Sequence, residues 1–185
     1  LATVPLRFDP TPADIEAGRP FLYDAALTSG HGDMSCASCH VFADRDHVAW
    51  DLGDPTGKLL TVPLAITHDN LLLKPRRAQF HPMKGPMTTQ SLRGLAGTGP
   101  MHWRGDRFGT GAAARDEVAA FKQFNGAFVS LNGRGAEIGD ADMTAFARFV
   151  LTIRYPPNPT QPLDRAYTGD AKAGSEFFTG PVRVD

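Results

Sequence analysis

Two cysteines and a histidine form the most chemically specific pattern in this sequence. Cys36 and Cys39 are the two cysteines among the 185 residues, and His40 directly follows the second. Two thiols one helical turn apart can add to the two vinyl groups on one edge of a porphyrin, and the next histidine can bind the iron beneath the ring. The C-x-x-C-H spacing therefore predicts one covalent c-type haem, with His40 as the proximal ligand of the iron.

Other uses of a C-x-x-C pair fit the sequence less well. A structural zinc site needs four ligands, and the chain has no further cysteine to supply a second cluster. A thioredoxin-like redox pair belongs in a βαβ context, which the residue pattern does not indicate. A structural disulfide is the remaining alternative. Because haem attachment of this kind takes place outside the cytoplasm, the haem interpretation implies a periplasmic or otherwise extracytoplasmic location.

The composition narrows the classes of protein to which the chain can belong. A formal net charge of −1 gives no indication of a nucleic-acid partner or of binding to an anionic membrane surface. No apolar run is long enough to span a bilayer. The 19 glycines and 15 prolines are many for a helical protein, so we expect short helices separated by long loops.

The elements that must position the haem are predicted to be helices, in an all-α, cytochrome c-like haem domain. Residues 42–86 show no sustained helical period, and we expect this segment, with a short extended piece at 59–64, to wrap one face of the haem. The clearest helix begins at a capping Asp140, because apolar residues then recur on one face: Met143, Phe146, Ala147, Val150 and Ile153. Helices are expected at 12–18, at the haem motif with Ser35 as cap, at 88–95, at 113–124 and at 140–155.

A short internal repeat predicts how the chain is divided. Residues 17–22 and 173–178 share the spacing A-G-x-x-F-apolar. The repeat predicts a cytochrome c-like haem domain at 1–155, a proline-rich linker at 156–169, and a second, truncated domain of the same kind that opens with a helix at 170–185. The haem motif of that second domain would lie beyond Asp185.

Three blocks of sequence carry a family resemblance. They are residues 18–40 up to the haem motif, residues 84–93 with a Gly-Pro turn, and residues 103–107, which read W-R-G-D-R. Together they resemble the N-terminal domain of bacterial dihaem cytochrome c peroxidases and their MauG-like relatives. The resemblance implies a mostly α-helical cytochrome c-like fold, electron transfer or peroxide chemistry in the periplasm, and a redox partner protein or second haem domain. Those peroxidases hold calcium at a domain interface, for which this sequence gives no support.

The sequence leaves the second axial ligand of the iron open. His81 resembles, with a shift of one residue, the family's distal histidine, and Met87 follows Gly-Pro as methionine ligands of cytochromes c often do. Met83 and His102 are the remaining alternatives. A methionine ligand raises the reduction potential, whereas a second histidine lowers it. The other histidines and methionines are less suitable, being too close to the motif or more typical of surface and core positions: His31, Met34, His47, His68 and Met143.

Residues 103–107 hold side chains that could touch a haem. Trp103 resembles the tryptophan that lies between the two haems of the family and assists electron transfer, and packing against the porphyrin is the alternative. Arg104 and Arg107, together with Arg93, could bind the haem propionates through charge-assisted hydrogen bonds.

The sequence favours electron transfer over peroxide reduction. In the family's catalytic domain a glutamate after the W-D-G-R block moves protons between the peroxide oxygens. The comparable residues 121–128 contain no carboxylate, and Glu117 and Glu137 lie on either side of them. We therefore expect an electron-transfer haem domain within a multihaem, peroxidase-like protein. The alternatives are a peroxidase or MauG-like oxidase that acts on hydrogen peroxide, and a haem-based gas-binding or sensor module.

Overall fold

A computed structural model of the chain describes residues 4, 8–64, 76–109 and 116–180. The chain forms two compact units, Leu1–Arg154 and Tyr155–Asp185. The strands of the first unit are β1 (Ala49–Asp51), β2 (Leu60–Leu64), β3 (Arg76–Phe80) and β4 (Pro86–Thr88). Its helices are α1 (Ala13–Gly18), α2 (Pro20–Tyr23), α3 (Ala25–Thr28), α4 (Cys36–Cys39), α5 (Glu117–Lys122), α6 (Ala127–Ser130) and α7 (Asp140–Thr152), with a 3-10 turn at Val41–Ala43.

Two small antiparallel sheets show that the prediction of an all-α fold is wrong. β1 pairs with β4, so that Trp50 lies opposite Met87, and β2 pairs with β3, so that Leu60 lies opposite Phe80. The extended piece predicted at 59–64 is confirmed as β2. Leucine, threonine and valine in β2 are residues whose side chains suit a pleated strand, and a helical period cannot reveal them.

The helix predicted at 88–95 is also absent from the described chain. Residues Pro86–Thr88 form a strand instead, and the chain then turns. Gly94 and Gly97 have φ angles of +70° and +83°, a left-handed conformation that interrupts a helix and that glycine adopts without strain. The helix predicted at 113–124 is confirmed only at Glu117–Lys122, and residues 110–115 lie outside the description.

Helix α7 supplies much of the apolar core of the first unit. The predicted apolar face is confirmed, because the buried residues of this helix are Met143, Phe146, Ala147, Phe149 and Val150. The helix begins at Asp140, with Gly139 rather than Asp140 as the capping residue, and it ends at Thr152. The ring of Phe146 lies 6.2, 5.1 and 6.0 Å, between centroids, from Phe21, Phe121 and Phe128.

A close helix crossing at Gly18 connects this core to the haem motif. A Cβ atom at Gly18 would lie 2.2 Å from the carbonyl oxygen of Ala145 and 2.5 Å from Cβ of Phe149. Glycine is therefore required where α1 meets α7. Helix α2 follows directly, with Leu22 fully buried, and contacts α4. The crossing thereby fixes the position of the helical turn that carries the cysteines.

The second unit contains helix α8 (Gly169–Thr179). Its Phe177 and Phe178 are 89% and 88% exposed. No described atom lies within 4 Å of the position that a Cβ of Gly174 would take. Across the described parts of both units, the helices are too short or too polar to cross a bilayer.

Candidate haem site

A capping box holds the helical turn that carries the two cysteines. The side chain of Ser35 accepts the backbone N–H of Ser38, and Oγ of Ser38 accepts the backbone N–H of Ser35 at 3.0 Å. The capping role predicted for Ser35 is confirmed. Cys36 and Cys39 are the first and last residues of α4, and both are free thiols. The turn therefore presents two thiols at the spacing that attachment to two vinyl groups requires.

The two thiols lie in different surroundings. Burial raises the pKa of Cys36 to about 11. Nδ2 of Asn132 lies 4.0 Å from its Sγ and also donates to the carbonyl oxygen of Thr28 at 3.2 Å. Burial, and then the charge of Asp46, raise the pKa of Cys39 as well. Both sulfurs therefore keep their protons at neutral pH. No spacing rule in the sequence links Asn132 to the motif.

The ring of His40 is oriented to bind a metal through Nε2. Its Nδ1 lies 2.8 Å from the backbone carbonyl oxygen of Gln90. A carbonyl oxygen can only accept, so Nδ1 carries the hydrogen and Nε2 keeps its lone pair. Burial lowers the pKa of His40, which favours the neutral ring. Metal-binding histidines commonly donate their second N–H in this way, so the motif fits a haem iron.

Residues 90–93 hold the segment that follows the motif. The N–H of Leu92 donates to the carbonyl oxygen of Ala43 at 3.0 Å, and Nη2 of Arg93 donates to that of Phe42 at 2.9 Å. Nη1 of Arg93 lies 3.3 Å from the carboxylate of Asp44. Phe42 and Ala43 have φ angles of +54° and +58°, which are strained for residues other than glycine. Arg93, predicted as a propionate ligand, is engaged in holding this strained turn.

An open cavity of about 380 Å³ adjoins the same turn. It combines two apolar side chains with charged groups of both signs, and Phe42 is 81% exposed. Apolar side chains exposed directly after His40 form the kind of surface that a porphyrin ring would cover. The lining residues are Val41, Phe42, Asp44, Arg45, Asp46, His47 and Arg93.

His102 shows the same ring arrangement as His40. Its Nδ1 lies 2.5 Å from Oδ1 of Asp106, and because a carboxylate can only accept, Nε2 of His102 keeps its lone pair. Burial lowers the pKa of His102 in spite of this carboxylate. The side chain is 13% exposed, and its ring meets Phe124 edge-on at 5.9 Å. The spacing of four residues between His102 and Asp106 is the signal from which the pair could have been predicted.

Asp106 lies at the centre of a cluster of positive side chains. Its carboxylate is fully buried and lies 3.0 Å from Nη1 of Arg107 and 3.4 Å from Nη2 of Arg104. Burial by itself raises the pKa of Asp106, but the hydrogen bond from His102 and the arginine charges outweigh it and lower the pKa. Burial and the same arginines lower the pKa of Lys84. The cluster therefore keeps Asp106 ionised.

Replacing Asp106 with asparagine is expected to destabilise the first unit by about 1–3 kcal/mol, because the buried carboxylate loses its charged hydrogen bonds and the partly exposed Arg104 and Arg107 lose their counter-charge. The folded-state pKa of Asp106 lies below its ordinary value of 3.8, so its stabilisation is present above pH 3.8 and is lost as the pH falls through the folded-state pKa. Urea unfolding between pH 7 and pH 3 measures both effects.

The exposed Asp142 of α7 provides the matched control for this substitution. Asp142→Asn is expected to change the free energy of unfolding by at most about 1 kcal/mol, since it removes a charge near the N-terminus of a helix. An Asp106→Asn variant as stable as this control would show that the buried ion cluster does not stabilise the fold.

The two ligand candidates favoured by the sequence, His81 and Met87, differ from His102 in their hydrogen bonds and their packing. Nδ1 of His81 accepts the backbone N–H of Met83 at 3.1 Å, which places the ring hydrogen of neutral His81 on Nε2. Nη1 of Arg104 donates to the backbone carbonyl oxygen of His81 at 2.7 Å. Met87 is 7% exposed and lies in β4 opposite Trp50, rather than ahead of a helix.

The remaining sequence candidates differ in their exposure. Trp103 is 64% exposed, and Met83 is 46% exposed. Met143 is 1% exposed in the core, as predicted. His68 lies outside the described residues. Within the described ranges, no three side chains of histidine, cysteine, aspartate or glutamate are grouped to hold a metal ion.

Comparisons with known proteins give a similarity of fold. No family model matches the chain, and no curated protein matches it. A solved structure of hydrazine synthase from Kuenenia stuttgartiensis, pressurised with 20 bar xenon, is similar with a TM-score of 0.55 at 18% sequence identity. The match covers 94% of this chain and 47% of that chain, so this chain spans about half the length of its structural neighbour. At this identity the match shows a shared fold.

Proposed function

We propose that this chain is a c-type cytochrome domain that carries one covalent haem and transfers electrons. The observation that carries the proposal is the geometry of the motif, in which two free thiols one turn apart precede a histidine whose Nδ1 hydrogen bond leaves the lone pair on Nε2. Each thiol of Cys36 and Cys39 would add its S–H across one vinyl group, which needs no oxidant. When bound, the haem supplies a one-electron iron couple.

The residues around the motif would keep the proximal ligand rigid. The carbonyl oxygen of Gln90 fixes the tautomer and the orientation of the His40 ring. Arg93 and Leu92 hold the turn that follows. A ligand held in this way keeps its position when the charge of the iron changes, and small rearrangement suits electron transfer.

The arrangement of carboxylates gives less support to peroxide reduction than to electron transfer. Oε1 of Glu117 accepts the backbone N–H of Gly97 at 2.5 Å, so this carboxylate is already engaged. Residues 121–128 run through the end of α5 into α6 and contain no acidic side chain. Peroxidase, MauG-like oxidase and gas-sensing activities therefore remain outcomes of the test below.

Part of the proposal concerns location and partners. We infer a periplasmic or other extracytoplasmic site of action from the attachment chemistry, and a redox protein or a second haem domain as electron partner. Helix α8 supports the second alternative. In the first unit Gly18 allows a close crossing and Phe21 is buried, whereas among the described residues no atom would lie within 4 Å of a Cβ at Gly174, and Phe177 is exposed. We propose that α8 opens a second domain in which this glycine meets another helix.

The test is the absorption spectrum of the chain produced together with a haem-attachment system. Covalent haem that stays on the denatured chain, with a low-spin ferric spectrum unchanged by hydrogen peroxide, is the result expected of an electron-transfer domain. A high-spin spectrum with peroxide turnover would favour the peroxidase, and tight binding of carbon monoxide without turnover would favour the sensor. Failure to recover any covalent haem would overturn the proposal.

A further inference from the structure

We propose that His102 is the second protein ligand of the haem iron, which it would bind through Nε2. The inference rests on the proposed function, because it presupposes a haem at Cys36 and Cys39. It departs from the ligands that the sequence favours, His81 and Met87.

The hydrogen-bond partners of the three imidazoles separate the candidates. Nδ1 of His40 donates to a carbonyl oxygen and Nδ1 of His102 donates to a carboxylate, so each ring presents the lone pair of Nε2. Nδ1 of His81 instead accepts a backbone N–H, so the hydrogen of the neutral ring occupies Nε2. His81 would have to break this hydrogen bond or lose its ring proton before Nε2 could bind iron.

Asp106 gives His102 the support that metal-binding histidines usually have. A carboxylate behind the ring fixes its orientation and makes Nε2 a stronger donor to the metal. Here the carboxylate is fully buried and is itself held by Arg104 and Arg107. The same Arg104 donates to the backbone carbonyl oxygen of His81. The arginine therefore contacts both the segment of His102 and the segment of His81. His102 is thus the more firmly positioned of the two rings.

The backbone and the surroundings of His102 agree with a functional role. His102 has a φ of +72°, which is strained for a residue other than glycine. The chain keeps a histidine at this position, although a glycine, Gly105, follows three residues later. The residue before it, Met101, is 3% exposed and belongs to the same apolar cluster as Ala43 and the partly buried Cys36. One core therefore anchors both the motif and the loop of His102.

Methionine is the less suitable alternative on steric grounds. Met87 is 7% exposed and is fixed in β4 by its pairing with β1. Met83 is 46% exposed, but its backbone N–H is the donor that holds His81.

The test compares ferric spectra of the haem-loaded chain and of four variants: His102→Ala, His102→Met, His81→Ala and Met87→Leu. We expect the wild type to be low-spin without a sulfur-to-iron charge-transfer band in the near infrared. His102→Ala should become high-spin and should return to low-spin when imidazole is added. His102→Met should gain the charge-transfer band. His81→Ala and Met87→Leu, the matched controls, should keep the spectrum of the wild type.

The outcomes that contradict the assignment are equally distinct. A charge-transfer band in the wild type that disappears in Met87→Leu would assign Met87, and a high-spin His81→Ala would assign His81. If the His102 variants do not fold, the other three spectra still test the assignment. A low-spin wild type without the charge-transfer band, unchanged in His81→Ala and Met87→Leu, supports His102, and a changed spectrum in either control contradicts it. Normal haem content with an unchanged His102→Ala spectrum overturns this inference alone. A wild-type chain without covalent haem overturns the proposed function and this inference with it.

Discussion

Replacing both Cys36 and Cys39 with serine is expected to abolish covalent haem attachment, so that the haem signal of the denatured chain falls to background. A serine hydroxyl does not add to a vinyl group, and a haem held only by an axial ligand leaves when the chain unfolds. Haem staining after denaturing electrophoresis measures this result. Each single substitution is expected to leave one possible thioether bond and therefore an intermediate signal.

The control for this experiment is a histidine outside the motif. His31 is exposed, and His31→Gln should leave the haem signal at the level of the wild type. Serine at both positions preserves the size and the capping geometry of α4, so a loss of signal reports the missing sulfur atoms rather than a missing helix. Haem that remains bound to the denatured double variant would contradict attachment at these residues.

Substitution of Gly18 by alanine is expected to destabilise the first unit by about 3 kcal/mol. The new Cβ would lie 2.2 Å from the carbonyl oxygen of Ala145, so α1 and α7 must separate. This separation outweighs the gain of about 1 kcal/mol that alanine normally brings to a helix. Urea unfolding followed by circular dichroism measures the difference.

Gly174 provides a matched control in the same sequence context. It also follows an alanine and precedes a phenylalanine by three residues, but no described atom would meet its Cβ within 4 Å. Gly174→Ala is therefore expected to leave stability unchanged or to increase it by up to about 1 kcal/mol through helix propensity. Equal destabilisation by the two substitutions would show that the crossing at Gly18 is not the cause.

The predictions that succeeded rest on local rules. The helix that begins at Asp140 follows from apolar residues at three-four spacing, and the cap at Ser35 follows from its side chain. The sheets were missed because strand pairing depends on distant partners. Met87 has the same neighbours in sequence whether it precedes a helix or pairs with β1, and the tertiary contact with Trp50 decides between the two.

The sequence by itself placed two thiols one helical turn apart with a histidine directly after the second, and this arrangement holds wherever the turn lies in the fold. It also predicted the apolar face of α7. Only the tertiary structure decided which tautomer each histidine adopts. The carbonyl oxygen of Gln90 sets the tautomer of His40, and it lies 50 residues away along the chain, so only folding brings it to the ring. Asp106 lies four residues from His102, but only the tertiary structure buries its carboxylate between Arg104 and Arg107.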